Sequence, residues 1–373
     1  MDRRKFIKIN GMGALGTSLF TSNFAFAFSE NKASAFIDRL LPAPKNGGFQ
    51  DDNYWIWGSS VIKGEDGNYH MFASRWSKDV GFGNWVTNSQ IVHAISSHPE
   101  GPYQFYSEVL PVRGSEYWDG MCTHNPRIIK YKDQYLLYYF GNTYDFEYPS
   151  MEQPDVSQEN WRAAWMNKRI GVAISDSIYG PWKRYDKPVI EPRQGHWDAS
   201  ITSNPAPAVN PKTGEILLMY KSSTNGLIPP LLLGVSQSTN PLGPYARLSE
   251  KPIFRFETKD NNLVDVEDPY IWWSGDKYEA LLKDRSGEIC GEEGGGVHVW
   301  SKDGVSWKLF KEVKAYTRKI KWDDGSVSVQ NHFERPFVLV EKGKPTHLFA
   351  ATGTGPKPWK FERTWNMVIP LKY

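Results

Sequence analysis

Four pairs of polar residues stand directly before a proline, and each pair opens a largely apolar run. The pairs are His124-Asn125, Ser203-Asn204, Glu267-Asp268 and Glu334-Arg335. Carboxylates and imidazoles are the side chains that most often transfer protons in enzymes. The amides and the guanidinium can hold a polar ligand in place. A fold that brings the starts of these runs together would therefore create one polar pocket.

Three aspartates add carboxylates at a constant spacing. Each stands six positions before a strand-opening residue: Asp52 before Gly58, Asp119 before Asn125 and Asp198 before Asn204. This register predicts that three further carboxylates reach the mouth of the same pocket. The alternative is that each aspartate forms an Asx-type turn ahead of a strand.

Several carboxylates without a metal-binding motif suit the cleavage of a glycosidic bond. One carboxylic acid, with a pKa raised by burial or by a like charge, protonates the leaving oxygen, while a second activates water or attacks the anomeric carbon. The catalytic candidates are Glu267, Asp268, Glu334, Asp52 and Asp119. Adjacent residues alternate across a strand, so only one of Glu267 and Asp268 is expected to face the ligand. Glu334 could instead form a buried ion pair with Arg335 and His332.

Aromatic residues make up 14% of the chain and include 16 tryptophans. Strands favour aromatic residues, so core packing accounts for most of these rings, and the faces of others can stack on a sugar. The residues expected to bind substrate are His124, Asn125, Asn204, Asp198, His332, Arg335, Trp57 and Arg75. Arg75 or Arg335 could pair with a uronate or sulfate, or form a structural salt bridge.

The elements that must position these residues repeat along the chain. Each polar pair opens an apolar strand, a tight turn and an aromatic-rich strand, and a first copy beginning at Trp57 lacks the proline. A further strand and a Gly-Pro-aromatic turn follow, as in Gly101-Pro102-Tyr103, Gly180-Pro181-Trp182 and Gly243-Pro244-Tyr245, with weaker copies near Trp307 and Trp359. Five such units, with no amphipathic helical run between them, predict five four-stranded sheets. Radial closure hides the sheet edges, so the prediction is an all-β, five-bladed β-propeller.

In such a propeller the first strand of each blade lines the central channel, where the polar pairs should converge. The last unit has only one strand after Ala350, so we expect residues 35–41 to complete that blade and close the ring. Two insertions, at 75–88 and 142–168, carry Trp85, Trp161 and Trp165 and are expected to wall the pocket. A deep pocket of this kind predicts release of one terminal sugar rather than cleavage within a chain.

At these residues the chain resembles the five-bladed propeller glycoside hydrolases of families 43 and 117, over about Asp51 to Leu371. Glu267-Asp268-Pro269 is similar to the Glu-x-Pro of family 43, which implies the general-acid role for Glu267. Family 43 has aspartates where this chain has Gly58 and Asn204, so Asp52 or another carboxylate would have to act as base.

Family 117 instead implies roles for Asp268 and Glu334 with a histidine acid, either His332 or His124. Either resemblance implies an inverting reaction on a plant or algal oligosaccharide. No cofactor is expected, although the resemblance adds a central calcium ion near His332 as an option.

The N-terminus predicts export. Arg3-Arg4-Lys5 precedes an apolar stretch ending in Ala25-Phe26-Ala27, which is typical of a twin-arginine-like signal over residues 1–27. A membrane anchor is the alternative, but the apolar run is short and interrupted. Residues 28–373 are predicted to form one domain that acts in the periplasm or outside the cell.

The expected partner is an oligosaccharide, and the oligomeric state is not predicted. The net charge of +2 excludes strong attraction to nucleic acid, and the protein is expected to be free of the membrane once the signal is removed. Three other functions stay open: a carbohydrate-binding or inactive propeller, a sialidase-like hydrolase suggested by the Asp-box-like segment 301–307, and a polysaccharide lyase with a His or Tyr base.

Overall fold

The computed structural model describes residues 35–226, 230–254, 256–257 and 263–372. Within them, five four-stranded antiparallel sheets surround a common axis, which confirms the predicted five-bladed β-propeller. The predicted export signal lies outside the described residues. Among those residues, no helix has the length and apolar character needed to cross a membrane.

Blades one to four are each built from consecutive strands. A two-residue strand β1 (Phe49–Gln50) is followed by blade one: β2 (Tyr54–Lys63), β3 (Tyr69–Ser77), β4 (Gln90–Ser96) and β5 (Gln104–Leu110). Blade two contains β6 (Cys122–Tyr131), β7 (Gln134–Asn142), β8 (Arg169–Ser175) and β9 (Lys183–Arg184). Blade three contains β10 (Ser203–Val209), β11 (Ile216–Ser222), β12 (Leu232–Ser238) and β13 (Ala246–Arg247). After the hairpin β14 (Phe256–Glu257) and β15 (Leu263–Val264), blade four contains β16 (Val266–Ser274), β17 (Lys277–Asp284), β18 (Gly296–Ser301) and β19 (Lys308–Lys314).

Blade five joins the two ends of the described chain. A second hairpin, β20 (Lys319–Lys321) and β21 (Val327–Val329), precedes β22 (Glu334–Glu341), β23 (Lys344–Thr354) and β24 (Arg363–Pro370). Strand β1 adds as the outermost strand of this sheet, with Phe49 opposite Asn366. The first strands of neighbouring blades contact one another all the way round the axis.

The segment that closes the ring differs from the prediction. Residues 35–41 form a 3₁₀ turn (Phe36–Arg39), and only Leu40 bridges to the last blade, at Leu371. Pro42 and Pro44 follow at once and have no N–H to donate to a sheet, which disfavours a strand here. An N-terminal strand does complete blade five, but it is formed by Phe49–Gln50 and not by the predicted residues 35–41.

The first strand of every blade has a bulge at an equivalent position. The residue at the bulge has a left-handed backbone in each case: Gly58 (φ 30°), Asn125 (φ 54°), Asn204 (φ 53°), Asp268 (φ 55°) and Arg335 (φ 57°). The register shifts at these points, and in four blades the next residue is the proline of the repeat. Proline is tolerated at a bulge because the ladder is already interrupted there. The bulge re-aims the side chain of the residue before the proline.

The insertion between β7 and β8 contains the helix α2 (Gln158–Met166), whereas a shorter helix α1 (Trp85–Asn88) precedes β4. Both helices lie within a blade, α1 between β3 and β4 and α2 between β7 and β8, and neither lies between two repeat units. Ser157 caps α2 by accepting a hydrogen bond from the Asn160 N–H, at 3.1 Å. Trp161 and Trp165, four positions apart on one helix face, both contact the Trp85 ring.

Candidate functional site

A cavity of about 260 Å³ lies on the propeller axis, and the first strands of all five blades contribute to it. Its lining is given by Trp57, Trp76, Phe82, Trp85, His124, Asn125, Phe140, Trp161, Trp165, Lys168, Asn204, Lys221, Leu231, Glu267, Asp268, Arg285, Glu334, Arg335 and Trp359. The structure therefore brings together most of the polar residues singled out in the sequence. Pockets of about 300–1,000 Å³ are usual for small ligands, so this one suits a compact ligand.

The five bulge residues form a ring around the axis, and four of them line the cavity. Asn125 Nδ2 donates to Asn204 Oδ1 at 3.2 Å, and Asn204 Nδ2 donates to Asp268 Oδ1 at 2.9 Å. Arg335 donates to both oxygens of Asp268, through its backbone N–H at 3.0 Å and Nη1 at 2.9 Å. With both oxygens taken and only 2% of its surface exposed, Asp268 serves to position the ring.

Gly58 completes the ring and explains one departure from family 43. A Cβ atom at this position would lie 2.4 Å from Asn125 Oδ1 and 3.3 Å from Arg335 Cγ. The φ of 30° adds backbone strain for any other residue. This position of the first strand of blade one therefore has no room for a carboxylate side chain.

Glu267 is the carboxylate with the strongest cationic surroundings. Lys221 Nζ contacts Oε2 at 2.9 Å, while Lys283 Nζ and Arg285 Nε contact Oε1 at 3.2 and 3.5 Å. Burial by itself raises the pKa of Glu267, but the charges of these neighbours outweigh it, so the pKa lies well below its ordinary value. Glu267 is ionised at neutral pH.

Glu334 shares the same lysine. Its Oε1 accepts from Lys283 Nζ at 2.5 Å and contacts His332 Nδ1 at 3.2 Å. Burial raises the pKa of Glu334, yet the Lys283 charge and the His332 hydrogen bond lower it overall. The pKa of Lys283 is in turn raised, because the charges of Glu334 and Glu267 exceed the opposing effect of burial. One ammonium thus bridges two carboxylates from adjacent blades.

His124 lies against the aromatic wall of the cavity. Its Nδ1 hydrogen-bonds Ser89 Oγ at 2.7 Å, and its ring lies 5.2 Å from that of Trp85. Burial, assisted by the charges of Arg335, Lys168 and Lys221, holds the pKa of His124 well below its ordinary value. A neutral imidazole here can hydrogen-bond a hydroxyl group but carries no proton to give at neutral pH.

Two of the predicted aspartates are placed elsewhere, and their expected position at the pocket is corrected. Asp119 is fully buried, with Arg113 Nε at 2.8 Å and the Tyr139 hydroxyl at 2.5 Å. Asp198 is equally buried between Arg193 Nε at 3.0 Å and the Tyr220 hydroxyl at 2.8 Å. The constant spacing reflects the same structural task, since each aspartate ties the connection before a first strand to the second strand of its own blade. Neither lines the cavity.

Asp52 and Arg75 also lie outside the cavity lining, contrary to prediction. Asp52 is exposed, and its backbone oxygen accepts from Lys78 Nζ at 2.8 Å. Arg75 Nη2 pairs with Glu108 at 3.1 Å, and the guanidinium packs over the Tyr54 ring. The structural salt bridge is therefore the correct alternative for Arg75.

His332 does not line the cavity, but it lies directly behind the lining. Its Nδ1 faces Glu334, its Nε2 has no hydrogen-bond partner among the described residues, and its ring is 4.0 Å from that of Trp359. Trp359 is 53% exposed at the cavity rim. The Phe361 ring lies 5.3 Å from that of His332 as well, so two aromatic side chains pack against this histidine.

Sequence reasoning missed the lysines that contact the carboxylates. Lys221 and Lys283 occupy equivalent places in blades three and four, because they pair across the strands with Ser203 and Glu267. Alignment of Tyr220-Lys221-Ser222 with Leu282-Lys283-Asp284 was the available signal. Lys168, at the end of an insertion, had no signal in the repeat.

The residues present do not fit a central calcium ion. Among the described residues, no group of three or more His, Cys, Asp or Glu side chains could hold a metal. Lys283 and Arg335 already neutralise the carboxylates nearest the axis. Ca²⁺ takes six to eight oxygen ligands in proteins, which this arrangement does not offer.

The Asp-box-like segment forms a turn between β18 and β19. Asp303 Oδ1 accepts from the backbone N–H groups of Val305 and Ser306, at 2.9 and 2.7 Å, and Trp307 Nε1 donates to the Gly304 oxygen at 2.9 Å. The segment is not part of the cavity lining, so it supplies no residue to the candidate site.

No family model matches this sequence, and no curated protein does. Solved structures do match its fold. A family 117 glycoside hydrolase from the marine bacterium Zobellia galactanivorans is 17% identical, with 89% of each chain covered and a TM-score of 0.61. BT0996, solved as an RGII complex, is 14% identical, with 90% of this chain and 93% of the other covered and a TM-score of 0.63. A thermostable family 43 glycoside hydrolase is 15% identical, with 89% and 93% covered and a TM-score of 0.58. The chain therefore has the fold of five-bladed propeller glycoside hydrolases of families 117 and 43, as the sequence resemblance implied.

Proposed function

We propose that this protein is a glycoside hydrolase that releases a terminal sugar from a plant or algal oligosaccharide, in the periplasm or outside the cell. The observation that carries the proposal is the convergence of Glu267 and Glu334 on Lys283, beside an aromatic-walled cavity on the propeller axis. The fold shared with glycoside hydrolases adds support, and one similar structure is an RGII complex.

In this proposal Glu267 acts as the ionised carboxylate. Its lowered pKa keeps it ionised, the state that a base requires, and is opposite to what a proton donor needs. We therefore assign Glu267 the base role and not the acid role implied by family 43. Lys221 holds its second oxygen at 2.9 Å and fixes its orientation.

The proton donor is assigned to the His332–Glu334 pair. His124 is the other histidine near the cavity, and its lowered pKa leaves it neutral. His332 contacts Glu334 through Nδ1, which leaves Nε2 for a leaving oxygen once Trp359 moves aside. Glu267 positions the water and His332 supplies the proton, so the reaction inverts the configuration at the anomeric carbon. Proton NMR of the fresh product tests this, and a retained anomer would overturn it.

The walls of the cavity support release of a terminal sugar. Trp85, Trp161 and Trp165 form one wall, where the rings of Trp161 and Trp165 stack at 5.3 Å. Trp57 and Trp359 also line the cavity, with ring centroids 6.4 Å apart. Several aromatic rings around so small a cavity suit one sugar ring.

The decisive experiment compares Glu267→Gln with the intact protein on a panel of plant and algal oligosaccharides, with products read by mass. We expect turnover to fall by at least about 100-fold, since general base catalysis contributes about 10²–10⁴-fold. Glu108→Gln is the matched control, because Glu108 is 48% exposed on the outer strand of blade one. Unchanged turnover in Glu267→Gln removes this residue from the reaction.

A carbohydrate-binding propeller without turnover is the second candidate function. It is favoured by Gly58 and Asn204, which stand where family 43 has aspartates, and by the cations that neutralise the remaining carboxylates. This candidate predicts saturable binding of an oligosaccharide with no product at high protein concentration.

A further inference from the structure

Lys168 is a buried lysine on the wall of the cavity. It is 1% exposed, follows α2 directly, and has its Nζ 3.0 Å from the centroid of the Trp165 ring. Trp85 and Phe140 lie 5.6 and 5.4 Å from the same nitrogen. The side chain therefore reaches the cavity between three aromatic rings.

Lys168 differs from every other cation of the cavity wall. Lys221 pairs with Glu267, Arg285 with Asp265, and Arg335 with Asp268, each within 2.9 Å. Within the described part of the chain, no carboxylate forms an ion pair with Lys168 Nζ. A buried ammonium group without a counter-ion is costly, so burial favours the neutral amine, and a ligand anion would stabilise the charged form.

We propose that Lys168 binds a negatively charged substituent of the sugar in this cavity, either a uronate carboxylate or a sulfate ester. The inference rests on the proposed function, since it names the substrate class of the same cavity. A lysine ammonium is a compact point charge that serves either anion. The ring of Trp165 beside it provides a face on which the sugar can stack.

Charged and titratable groups around Lys168 affect its pKa. The groups that face it are Lys221, Glu267, Arg335, His124 and the buried thiol of Cys122. Burial, and then the Lys221 charge, place the pKa of Lys168 well below its ordinary value. A bound anion opposes both effects, because it stabilises the charged form of the amine.

The test is calorimetric binding to the intact protein of three matched probes in the gluco and galacto series: the uronate, the 6-sulfate and the neutral sugar. We expect one acidic probe to bind at least about 10-fold more tightly than its neutral counterpart. Lys168→Met should lose about 10- to 100-fold of that affinity and so reduce the preference for the acidic probe over the neutral one. Lys302→Met, at a side chain 72% exposed, is the control that should change nothing.

Three outcomes overturn the proposal: equal affinity for acidic and neutral probes, no binding of either acidic probe at millimolar concentration, or unchanged acidic binding in Lys168→Met. The last would make Lys168 a packing residue of the aromatic wall. If Lys168→Met does not fold, Lys168→Gln replaces it, and unchanged acidic binding in that variant also contradicts the role. If the acidic probes bind but no oligosaccharide yields a product, the anion-binding role of Lys168 stands and the proposed hydrolysis is wrong. If oligosaccharides are cleaved without any preference for acidic sugars, the hydrolysis stands and the role of Lys168 is wrong.

Discussion

Replacing Lys283 with methionine removes the ammonium that bridges Glu267 and Glu334. The lysine is 8% exposed, and its Nζ lies 3.2 and 2.5 Å from the two carboxylate oxygens. Removing one partner of a buried ion pair costs about 3–5 kcal/mol. We therefore expect the free energy of unfolding at pH 7 to fall by about that amount, measured by urea unfolding.

The sign of the pH dependence provides the sharper test. In the intact protein the folded-state pKa values of Glu267 and Glu334 are lowered, so their stabilisation is present above the unfolded pKa of about 4.3 and is lost on acidification. In Lys283→Met, burial and mutual repulsion raise at least one of these pKa values above about 4.3. The variant is therefore most stable below that pH. Its free energy of unfolding falls as the pH rises through the raised folded-state pKa.

The difference in stability between the variant and the intact protein should therefore shrink between pH 7 and about pH 4. Lys302→Met, on the surface of blade four, should stay within about 0.5 kcal/mol at both pH values. An equal cost for Lys283→Met at pH 7 and pH 4 would refute the assignment of two ionised carboxylates to one lysine.

Two further predictions separate structural from catalytic roles. Gly58→Ala should lower the free energy of unfolding, measured in urea, by about 2–5 kcal/mol, because it adds left-handed backbone strain and a Cβ 2.4 Å from Asn125 Oδ1. Gly67 is the control, because its φ is 86° and a Cβ there would have no atom within 4 Å. Gly67→Ala adds only the backbone strain and should cost less. Asp119→Asn should lower the free energy of unfolding by about 3–5 kcal/mol in the same assay and leave kcat of the folded enzyme unchanged. Asp52→Asn, at an exposed residue, should change neither quantity. A fall in kcat at unchanged stability would return Asp119 to the catalytic candidates.

The ring of bulge residues and the lysines that contact the carboxylates have different roles in the site. The ring of Asn125, Asn204, Asp268 and Arg335 ties four blades together through side-chain hydrogen bonds. Glu267 and Glu334 are each next to a ring member in sequence, yet their oxygens are held by lysines of second strands. The ring sets the geometry of the axis, and the flanking residues are available for chemistry.

The sequence by itself determined the blade plan and the polar pairs. Strand alternation, tight turns and the Gly-Pro-aromatic repeat act within about 40 residues of chain, so local composition is enough to specify each sheet. The proline after each pair marks the bulge, since proline cannot donate to the ladder. The ring at the axis follows from that register in every blade.

The tertiary structure decided which carboxylates face the cavity and with what charge. Asp119 and Asp198 share the register of the ring residues but are held within their own blades by Arg113 and Arg193. Glu334 meets Lys283 from the neighbouring blade, a contact between residues 51 positions apart. Closure through Phe49–Gln50 and the place of Lys168 among aromatic rings likewise depend on packing between distant segments. Electrostatic interactions are set by distance in space and by burial, and a repeat pattern contains neither.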